Sequence, residues 1–348
     1  MDHSQLVARA TPPEVDDDYG IALVGCGAVS PTHLRAYTDA GFDVRVLCDV
    51  EIDRARSRRD EYVPGADVTD DHRAAVTRSD IDIVDATPPP DPRAAIVQDA
   101  LRADTHVLSQ KPFATDLETA RALVSLADER GVRLAVNQNA RWAPGAAYLR
   151  AAVDAGRLGT VHGVTVERTW DYSRIAGDGI PHRLLFHYAI HWLDLVRCVS
   201  PAEAQRVHAM MSVSPTQEPD QPVVAGILVE FPDGHATLRF DGDAPHDTVD
   251  RIRVAGNTGT AELVGPDTED RTVRLTDRTG TTTWTPSGSW NPDGWHGAMA
   301  ELLAAVERDE EPPHSGADNL RTLELVFATV ESARTGEPVV PGEVTDLW

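Results

Sequence analysis

One lysine and two histidines in this chain have the types and spacing for proton chemistry. Lys111 is the only lysine among the 32 basic residues, all the others being arginine. A desolvated lysine can release a proton near neutrality, whereas arginine cannot. His187 and His191 are four residues apart in a predicted helix, so α-helical geometry would place both on one face.

These side chains match the requirements of alcohol oxidation. Removing a hydroxyl proton while a hydride leaves the carbon requires a base with a pKa near neutrality, and histidine supplies one. A nearby cation stabilises the developing alkoxide. We therefore predict His191 as the general acid–base group and His187 as a substrate contact or proton relay. Lys111 is predicted to position the hydroxyl and stabilise the alkoxide, with proton relay as a further role. Asp194 is predicted to be structural, either anchoring the helix or tuning a neighbouring group.

A glycine-rich turn predicts a dinucleotide site. Gly25 and Gly27 follow an apolar, strand-like run and open a predicted helix. Gly25 permits the tight turn, and Gly27 lets the backbone approach a pyrophosphate. The amides of Ala28 and Val29 would face that pyrophosphate at the helix N-terminus, where the helix dipole favours negative charge. Ser30 stands where the usual motif has its third glycine, so the motif is imperfect.

The acid that ends the next predicted strand bears on the choice of cofactor. Asp49 lies 24 residues after Gly25 and would accept hydrogen bonds from the hydroxyls of the adenosine ribose. Its charge would repel a 2′-phosphate, so the sequence favours NAD over NADP, although Arg54 nearby weakens that preference. The remaining predicted cofactor-binding residues are Thr87, Gln110 and Lys111, which follow two further predicted strands.

The elements that must position these residues fall into two regions. Up to about residue 139, strand-like runs alternate with helical patterns such as 117–130, which predicts βαβ units and a parallel sheet. Beyond it, strand-like runs such as 161–169 predominate, separated by turn signals. The predicted fold class is α/β: an N-terminal Rossmann domain with a doubly wound parallel sheet, then an α+β domain with a large open, mostly antiparallel sheet. The predicted bounds are 1–19 for a flexible acidic lead-in, 20–139 for the Rossmann domain and 140–348 for a C-terminal, substrate-binding domain.

Composition argues against several classes of protein. The formal net charge is −24 at pH 7, which leaves little to build the basic face that nucleic-acid binding requires. No run approaches the ~18 apolar residues of a membrane helix, and the first residues show no secretion signal. The three cysteines form no CxxC pattern, which favours a reducing cytoplasm. Strong acidity with almost no lysine resembles proteins of salt-adapted cells, in which screening by salt relieves self-repulsion.

Several segments lie in a characteristic order along residues 20–341, among them GCGAVSPTHL, ATPPP, SQKPFAT, VNQNARWAP, GRLGTVHGV and HYAIHWLDLVR. Together they resemble the glucose–fructose oxidoreductase / inositol dehydrogenase / MocA (Gfo/Idh/MocA) family. In that family the lysine of a Glu-Lys-Pro motif sits by the nicotinamide and the reacting hydroxyl. Lys111 matches this lysine, with Gln110 in place of the glutamate. His191 matches the histidine of a family Asp-x-x-x-His pair, with His187 in place of the aspartate.

The resemblance implies an NAD-dependent oxidoreductase that transfers a hydride between nicotinamide and a secondary hydroxyl or ketone of a sugar or polyol. It also implies a homodimer or homotetramer formed through the sheet face. The predicted substrate-binding residues are Lys111, Arg141, Trp170, His187 and His191, with Trp170 expected to stack on a sugar face. The departures at Gln110 and His187 lead us to expect altered substrate choice or proton routing.

Three alternatives stay open at this point. One is an enzyme without net redox change, such as an epimerase or a lyase-like glycosidase, which keeps its NAD tightly bound and does not release NADH. Another is a metal enzyme, because His187 and His191 have zinc-compatible spacing and His182 or Asp194 would supply a third ligand. The last is a non-enzymatic NAD-binding sensor, which the retention of Lys111 argues against.

Overall fold

A parallel sheet with a doubly wound strand order forms the first part of the fold. The computed structural model describes residues 1–16, 18–172, 182–200, 202–218 and 220–347. The parallel strands are β1 Gly20–Val24, β2 Asp43–Cys48, β3 Asp67–Thr69, β4 Ile83–Ala86, β5 His106–Ser109 and β6 Leu134–Val136. Their order in the sheet is β3-β2-β1-β4-β5-β6, so the direction of winding switches between β1 and β4. Ligands of doubly wound sheets bind at the carboxyl ends of the strands beside such a switch point.

Helices connect and flank the strands. They are α1 His3–Ala10, α2 Ser30–Ala40, α3 Ile52–Tyr62, α4 His72–Val76, α5 Pro90–Arg102, α6 Leu117–Arg130, α7 Pro144–Asp154, α8 Ile190–Val199, α9 Asp293–Glu307 and α10 Gly316–Thr335. A 3₁₀ helix lies at Asn139–Trp142 and a π-helix at Leu184–Ala189. Among the residues that the structure describes, no helix has both the length and the apolar character needed to cross a membrane.

A larger, mixed sheet forms the second part. Its strands are β7 Val161–Thr169, β8 Arg206–Ser212, β9 Val224–Phe231, β10 Gly234–Asp241, β11 Val249–Gly256, β12 Gly259–Gly265, β13 Thr272–Asp277 and β14 Gly280–Trp284. The order is β14-β13-β12-β11-β7-β10-β9-β8, and every pairing is antiparallel except that of β7 with β10. Buried and exposed residues alternate along β9 and β10, so one face of the sheet is packed and the other is solvated.

The chain divides into two compact units whose bounds differ from the predicted ones. The parallel-sheet unit comprises Pro12–Asn139 and Asn291–Leu320, and the eight-strand unit comprises Met1–Thr11, Ala140–Trp290 and Arg321–Trp348. Residues 291–320 join the parallel-sheet unit because α9 buries apolar side chains, including Met299 and Leu302, in the core around β1. Sequence pattern gives the helix but not the sheet on which it packs.

The predicted flexible lead-in contains a helix. α1 begins with a capping box, in which Asp2 accepts the Gln5 backbone N–H at 2.9 Å and Gln5 accepts the Asp2 N–H at 2.8 Å. Leu6 is fully buried, and His3 Nδ1 lies 3.0 Å from the hydroxyl of Tyr148 on α7. This short polar stretch is therefore ordered by its cap and by its packing on α7.

Candidate active site

The turn after β1 has the backbone conformation and the space that a pyrophosphate requires. Gly25 has a φ of +100°, and a Cβ atom there would lie 2.7 Å from the backbone nitrogen of Pro88. A Cβ atom at Gly27 would meet nothing within 4 Å, so this glycine faces open space. Ala28 is exposed, and Val29 is the N-cap of α2, whose N-terminal dipole favours an anion. These residues fit a dinucleotide.

Asp49 joins the end of β2 to the same turn. Its Oδ2 accepts the Cys26 N–H at 2.7 Å, and its Oδ1 accepts the Glu51 N–H at 2.8 Å. The guanidinium of Arg54 lies 4.0 Å from Oδ1. A carboxylate offers about four lone-pair sites, so Asp49 keeps acceptor capacity for ribose hydroxyls.

Two hydroxyl groups hold the turn in place. Ser30, at the position of the missing third glycine, donates to the Gly27 carbonyl at 2.8 Å and accepts from Arg58 Nε at 3.3 Å. Thr87, after β4, donates to the Val24 carbonyl at 3.1 Å. Thr87 therefore shapes the predicted cofactor site through its own turn contacts, and its direct contact with the cofactor stays a prediction.

Lys111 follows β5 and is half-buried. Its backbone N–H donates to Gln110 Oε1 at 2.8 Å, and the other end of that amide, Nε2, lies 3.1 Å from His33 Nε2. Gln110 is 6% exposed. Both ends of its side chain bond to protein groups, and its contact with the cofactor stays a prediction.

Arg93 connects the loops that follow β4 and β5. Its guanidinium is buried and donates to the backbone carbonyls of Pro88, Gln110 and Pro112. Burial lowers the pKa of Arg93 to about 9, and the charge of Asp85 opposes that shift. Sequence reasoning missed Arg93, because nothing local distinguishes an arginine on the first turns of a helix from an exposed one.

The chain matches two family models and a relative along most of its length. A model described as the oxidoreductase family with an NAD-binding Rossmann fold matches residues 19–138, and the GFO/IDH/MocA C-terminal domain matches residues 146–262. A D-apiose dehydrogenase of Paraburkholderia graminis is 30% identical over 340 residues, which cover 91% of this chain and 88% of the relative. The chain belongs to the Gfo/Idh/MocA family of oxidoreductases. Its parallel-sheet unit is accordingly an NAD-binding Rossmann fold.

Other members and solved structures share the fold of this family. An inositol 2-dehydrogenase of Gluconacetobacter diazotrophicus is 33% identical over 145 residues, 41% of this chain and 43% of the relative. An oxidoreductase of Agrobacterium radiobacter, solved with NAD+, L-tartaric acid and magnesium, has a TM-score of 0.81 at 23% identity and covers 93% of this chain and 99% of its own. A levoglucosan dehydrogenase solved with NADH and levoglucosan has a TM-score of 0.78 at 18% identity, covering 93% of this chain and 100% of its own.

The helix that carries the family histidine begins with a π-helical segment. His187 lies in that segment and is exposed, whereas His191 lies in the first turn of α8 and is 6% exposed. The ring of Trp290 packs edge-on against the His191 imidazole at 5.2 Å. A π-helix holds more residues per turn than an α-helix, so the α-helical spacing that predicted one shared face does not describe this segment.

Asp194 anchors α8 through a buried ion pair with Arg141. The guanidinium of Arg141 donates to both carboxylate oxygens of Asp194 at 2.6 Å, and Thr322 on α10 donates at 2.8 Å. Arg141 was predicted to bind substrate, but its guanidinium is 3% exposed and holds a buried carboxylate. Asp194 was also a possible third metal ligand, and in the structure its two oxygens accept these three hydrogen bonds.

Trp170 packs inside the eight-strand unit. Its ring stacks on Tyr188 with centroids 4.4 Å apart, and it is 8% exposed. Arg168 lies 5.4 Å from the centroid of the same ring. One ring face is thus covered by protein, because an indole and a phenol bury more apolar surface together than apart. The stacking of Trp170 on a sugar face stays a prediction.

The predicted site residues fall into two sets. The parallel-sheet unit contains Gly25, Gly27, Ala28, Val29, Asp49, Thr87, Gln110 and Lys111. The eight-strand unit contains Arg141, Trp170, His187 and His191. Within the described ranges, no group of three histidine, cysteine, aspartate or glutamate side chains is arranged to hold a metal ion.

Proposed function

We propose that this protein is an NAD-dependent dehydrogenase of secondary hydroxyl groups on a sugar or polyol, with Lys111 and His191 as its catalytic residues. The observation that carries the proposal is the place of Lys111. The only lysine of the chain lies two residues after the end of β5, two strands from the glycine-rich turn, and Gln110 holds its backbone N–H. D-apiose, inositol and levoglucosan, which appear in the names of the relatives and structural neighbours, support a sugar or polyol as substrate.

The turn and its neighbours would hold the cofactor. The amides of Ala28 and Val29 would face the pyrophosphate, and Gly25 and Gly27 leave room for it. Asp49 would accept the ribose hydroxyls and disfavour a 2′-phosphate. NAD, when bound, supplies the hydride acceptor that alcohol oxidation needs.

The catalytic residues would share the proton chemistry. The Lys111 ammonium would bind the substrate hydroxyl, stabilise the negative charge that develops on its oxygen and relay a proton. The His191 imidazole would take the hydroxyl proton, and the packed ring of Trp290 limits the orientations of that imidazole. The exposed His187 would contact substrate or carry the proton to solvent.

The test is NADH formation by the purified protein against a panel of sugars and polyols with NAD in molar potassium chloride. We expect a signal with the parent protein and none with Lys111→Ala, while both bind NADH. A product that is formed without NADH release would instead favour the epimerase or lyase-like alternative, which the names of the relatives do not favour. Failure to bind any nicotinamide nucleotide would refute the proposal.

The solvated face of the large sheet supports self-association. Met210 on β8 and Leu228 on β9 are 70% and 38% exposed, and both lie on strands whose alternate residues are buried. Exposed apolar side chains on a sheet face favour contact with another protein surface, here a second copy of the chain. We expect a dimer or tetramer by light scattering, and a smaller species for Leu228→Glu.

A reducing, salt-rich cytoplasm is the setting we propose. Cys26, Cys48 and Cys198 are all free thiols, and free thiols persist in reducing compartments. The net charge of −24 produces self-repulsion that salt screens. Fractionation of the source cells would locate the protein, and recovery with a membrane or secreted fraction would contradict this setting.

A further inference from the structure

A buried chain of hydrogen bonds runs from Asp85 to the backbone of Lys111. Asp85 Oδ2 lies 2.7 Å from His33 Nδ1 and accepts the hydroxyl of Tyr37 at 2.7 Å. His33 Nε2 lies 3.1 Å from Gln110 Nε2, and Gln110 Oε1 accepts the Lys111 N–H at 2.8 Å. Asp85, His33 and Tyr37 are fully buried.

The Lys111 N–H determines the direction of every bond in this chain. A backbone N–H can only donate, so the group of Gln110 that faces it must be the carbonyl oxygen. The amide nitrogen of Gln110 must then face His33 and donate to it. His33 Nε2 therefore carries a lone pair, and its hydrogen is on Nδ1, where it donates to Asp85.

Charge balance agrees with a neutral imidazole. Asp85 is a buried carboxylate, and its negative charge raises the pKa of the buried Arg93 guanidinium, against the larger lowering by burial. These two charges offset each other, so a charged His33 would leave one excess positive charge in a region without solvent. With a glutamate at position 110, a second carboxylate would lie beside His33. Its negative charge would favour a second proton on the imidazole, which would then be positively charged.

We propose that Gln110 and His33 are positioning residues for Lys111, and that they act with His33 neutral in its Nδ1–H tautomer. The catalytic consequence rests on the proposed role of Lys111, whereas the tautomer does not. The hydrogen-bonded chain from Asp85 holds the Lys111 backbone N–H, and Arg93 holds the Gln110 and Pro112 carbonyls of the same loop. The backbone from which the Lys111 side chain extends is thereby held by an amide on the preceding residue rather than by a carboxylate there.

The tautomer is measured by NMR on protein labelled with ¹⁵N-histidine, because ring nitrogens with and without hydrogen have distinct shifts. The His33 signals are identified by their loss in His33→Gln. We expect a hydrogen on Nδ1 alone in the parent protein, and on both nitrogens in Gln110→Glu. A charged or Nε2–H imidazole in the parent protein, or a neutral one in Gln110→Glu, would overturn the proposal.

The single lysine allows a second readout. Protein labelled with ¹⁵N-lysine gives one backbone amide signal, that of Lys111. Gln110→Met removes the acceptor, so we expect faster hydrogen exchange at this amide. We also expect kcat to fall about 10- to 100-fold, with KM for NAD within about twofold, because a small displacement of a catalytic group reduces the rate of chemistry.

Thr105→Val is the matched control. Thr105 immediately precedes β5, at the end of the strand away from Lys111, and donates to the Val76 carbonyl at 3.2 Å. Losing this hydrogen bond tests a loss of stability alone, because Thr105 is not part of the hydrogen-bonded chain from Asp85 to Lys111. Unchanged exchange at Lys111 in Gln110→Met, or equal loss of kcat in both variants, would refute the positioning role. If the protein oxidises no substrate in the panel, the proposed function is refuted. The tautomer of His33 and the exchange rate of the Lys111 amide would still show whether the hydrogen-bonded chain exists.

Discussion

Arg141 and Asp194 form a buried ion pair in which Nε and Nη2 each donate to a carboxylate oxygen at 2.6 Å. Neither side chain has more than 3% of its surface exposed. Asp194 lies three residues after His191, in the middle of α8, so the pair ties that helix to Arg141 in the 3₁₀ helix Asn139–Trp142. The position of His191, the proposed acid–base group, therefore depends on the Arg141–Asp194 ion pair, which has no proposed role in proton transfer.

Asp194→Asn tests this anchor. It removes the counter-charge of a buried guanidinium, so we expect the free energy of unfolding to fall by about 3–5 kcal/mol. Urea unfolding followed by circular dichroism measures the change. Glu331→Gln, which breaks an exposed pair with Arg334, is the control and should keep the parent midpoint. Identical midpoints for all three proteins would show that the buried pair contributes nothing.

Lys111→Arg separates the charge of the lysine from its proton chemistry. Arginine keeps a cation beside the substrate but does not release a proton near neutrality. We expect kcat to fall by about 10²- to 10⁴-fold, with NADH affinity retained. Steady-state rates and NADH fluorescence titration measure the two quantities. A rate equal to that of the parent would mean that positive charge alone is sufficient at this position.

Asp49→Asn addresses the choice of cofactor. The change removes the negative charge that would oppose a 2′-phosphate while keeping a polar side chain for the Cys26 N–H. We expect NADH affinity to fall about 10-fold, since hydrogen bonds to a charged group are lost, and NADPH affinity to rise. Asp53→Asn, on the exposed side of α3, is the control. The prediction fails if both variants bind the two nucleotides alike.

The two buried thiols, Cys26 and Cys48, should react slowly with thiol reagents and stay protonated at mildly alkaline pH. Burial, aided by the charge of Asp49, raises the pKa of Cys26 and of Cys48 to about 12. Near pH ~8 we expect a thiol reagent to label only Cys198 in the folded protein, and Cys198→Ser to abolish that signal. Labelling of all three thiols without unfolding would contradict the burial.

The same shifts predict how stability changes in alkali. A thiol pKa that is raised in the folded state favours the protonated, folded form. This contribution is fully present below the unfolded thiol pKa of about 8.5, and it is lost as the pH rises from there toward the folded value. We expect Cys26→Ala to lose less stability than the parent over that range, in urea titrations repeated at each pH.

Salt should stabilise the folded chain. Self-repulsion from a net charge of −24 weakens as the Debye length shortens, so we expect the melting temperature to rise between about 0.1 M and about 1 M potassium chloride. Sucrose at equal osmolality is the control, because it does not screen charge. An equal rise in sucrose and in salt would remove electrostatics as the cause.

The residues nearest the glycine-rich turn were predictable because their roles are local. Gly25 needs a positive φ, and Asp49 ends the next parallel strand, so both follow from the order of elements along the chain. The same holds for the helix at 117–130 and the strand at 161–169, whose bounds match the apolar pattern. The strands β13 and β14 were missed, since they are short, polar and rich in threonine.

The sequence by itself determined the family, the parallel sheet, the glycine-rich turn and the candidate lysine and histidines, because each depends on neighbouring residues or on their order. Only the tertiary structure decided which charges are buried together. His33 meets Asp85 and Gln110 across 52 and 77 residues of chain, and Arg141 meets Asp194 across 53. Hydrogen bonds between distant segments leave no periodic pattern, so the groups that position the candidate site become visible only when the chain is folded.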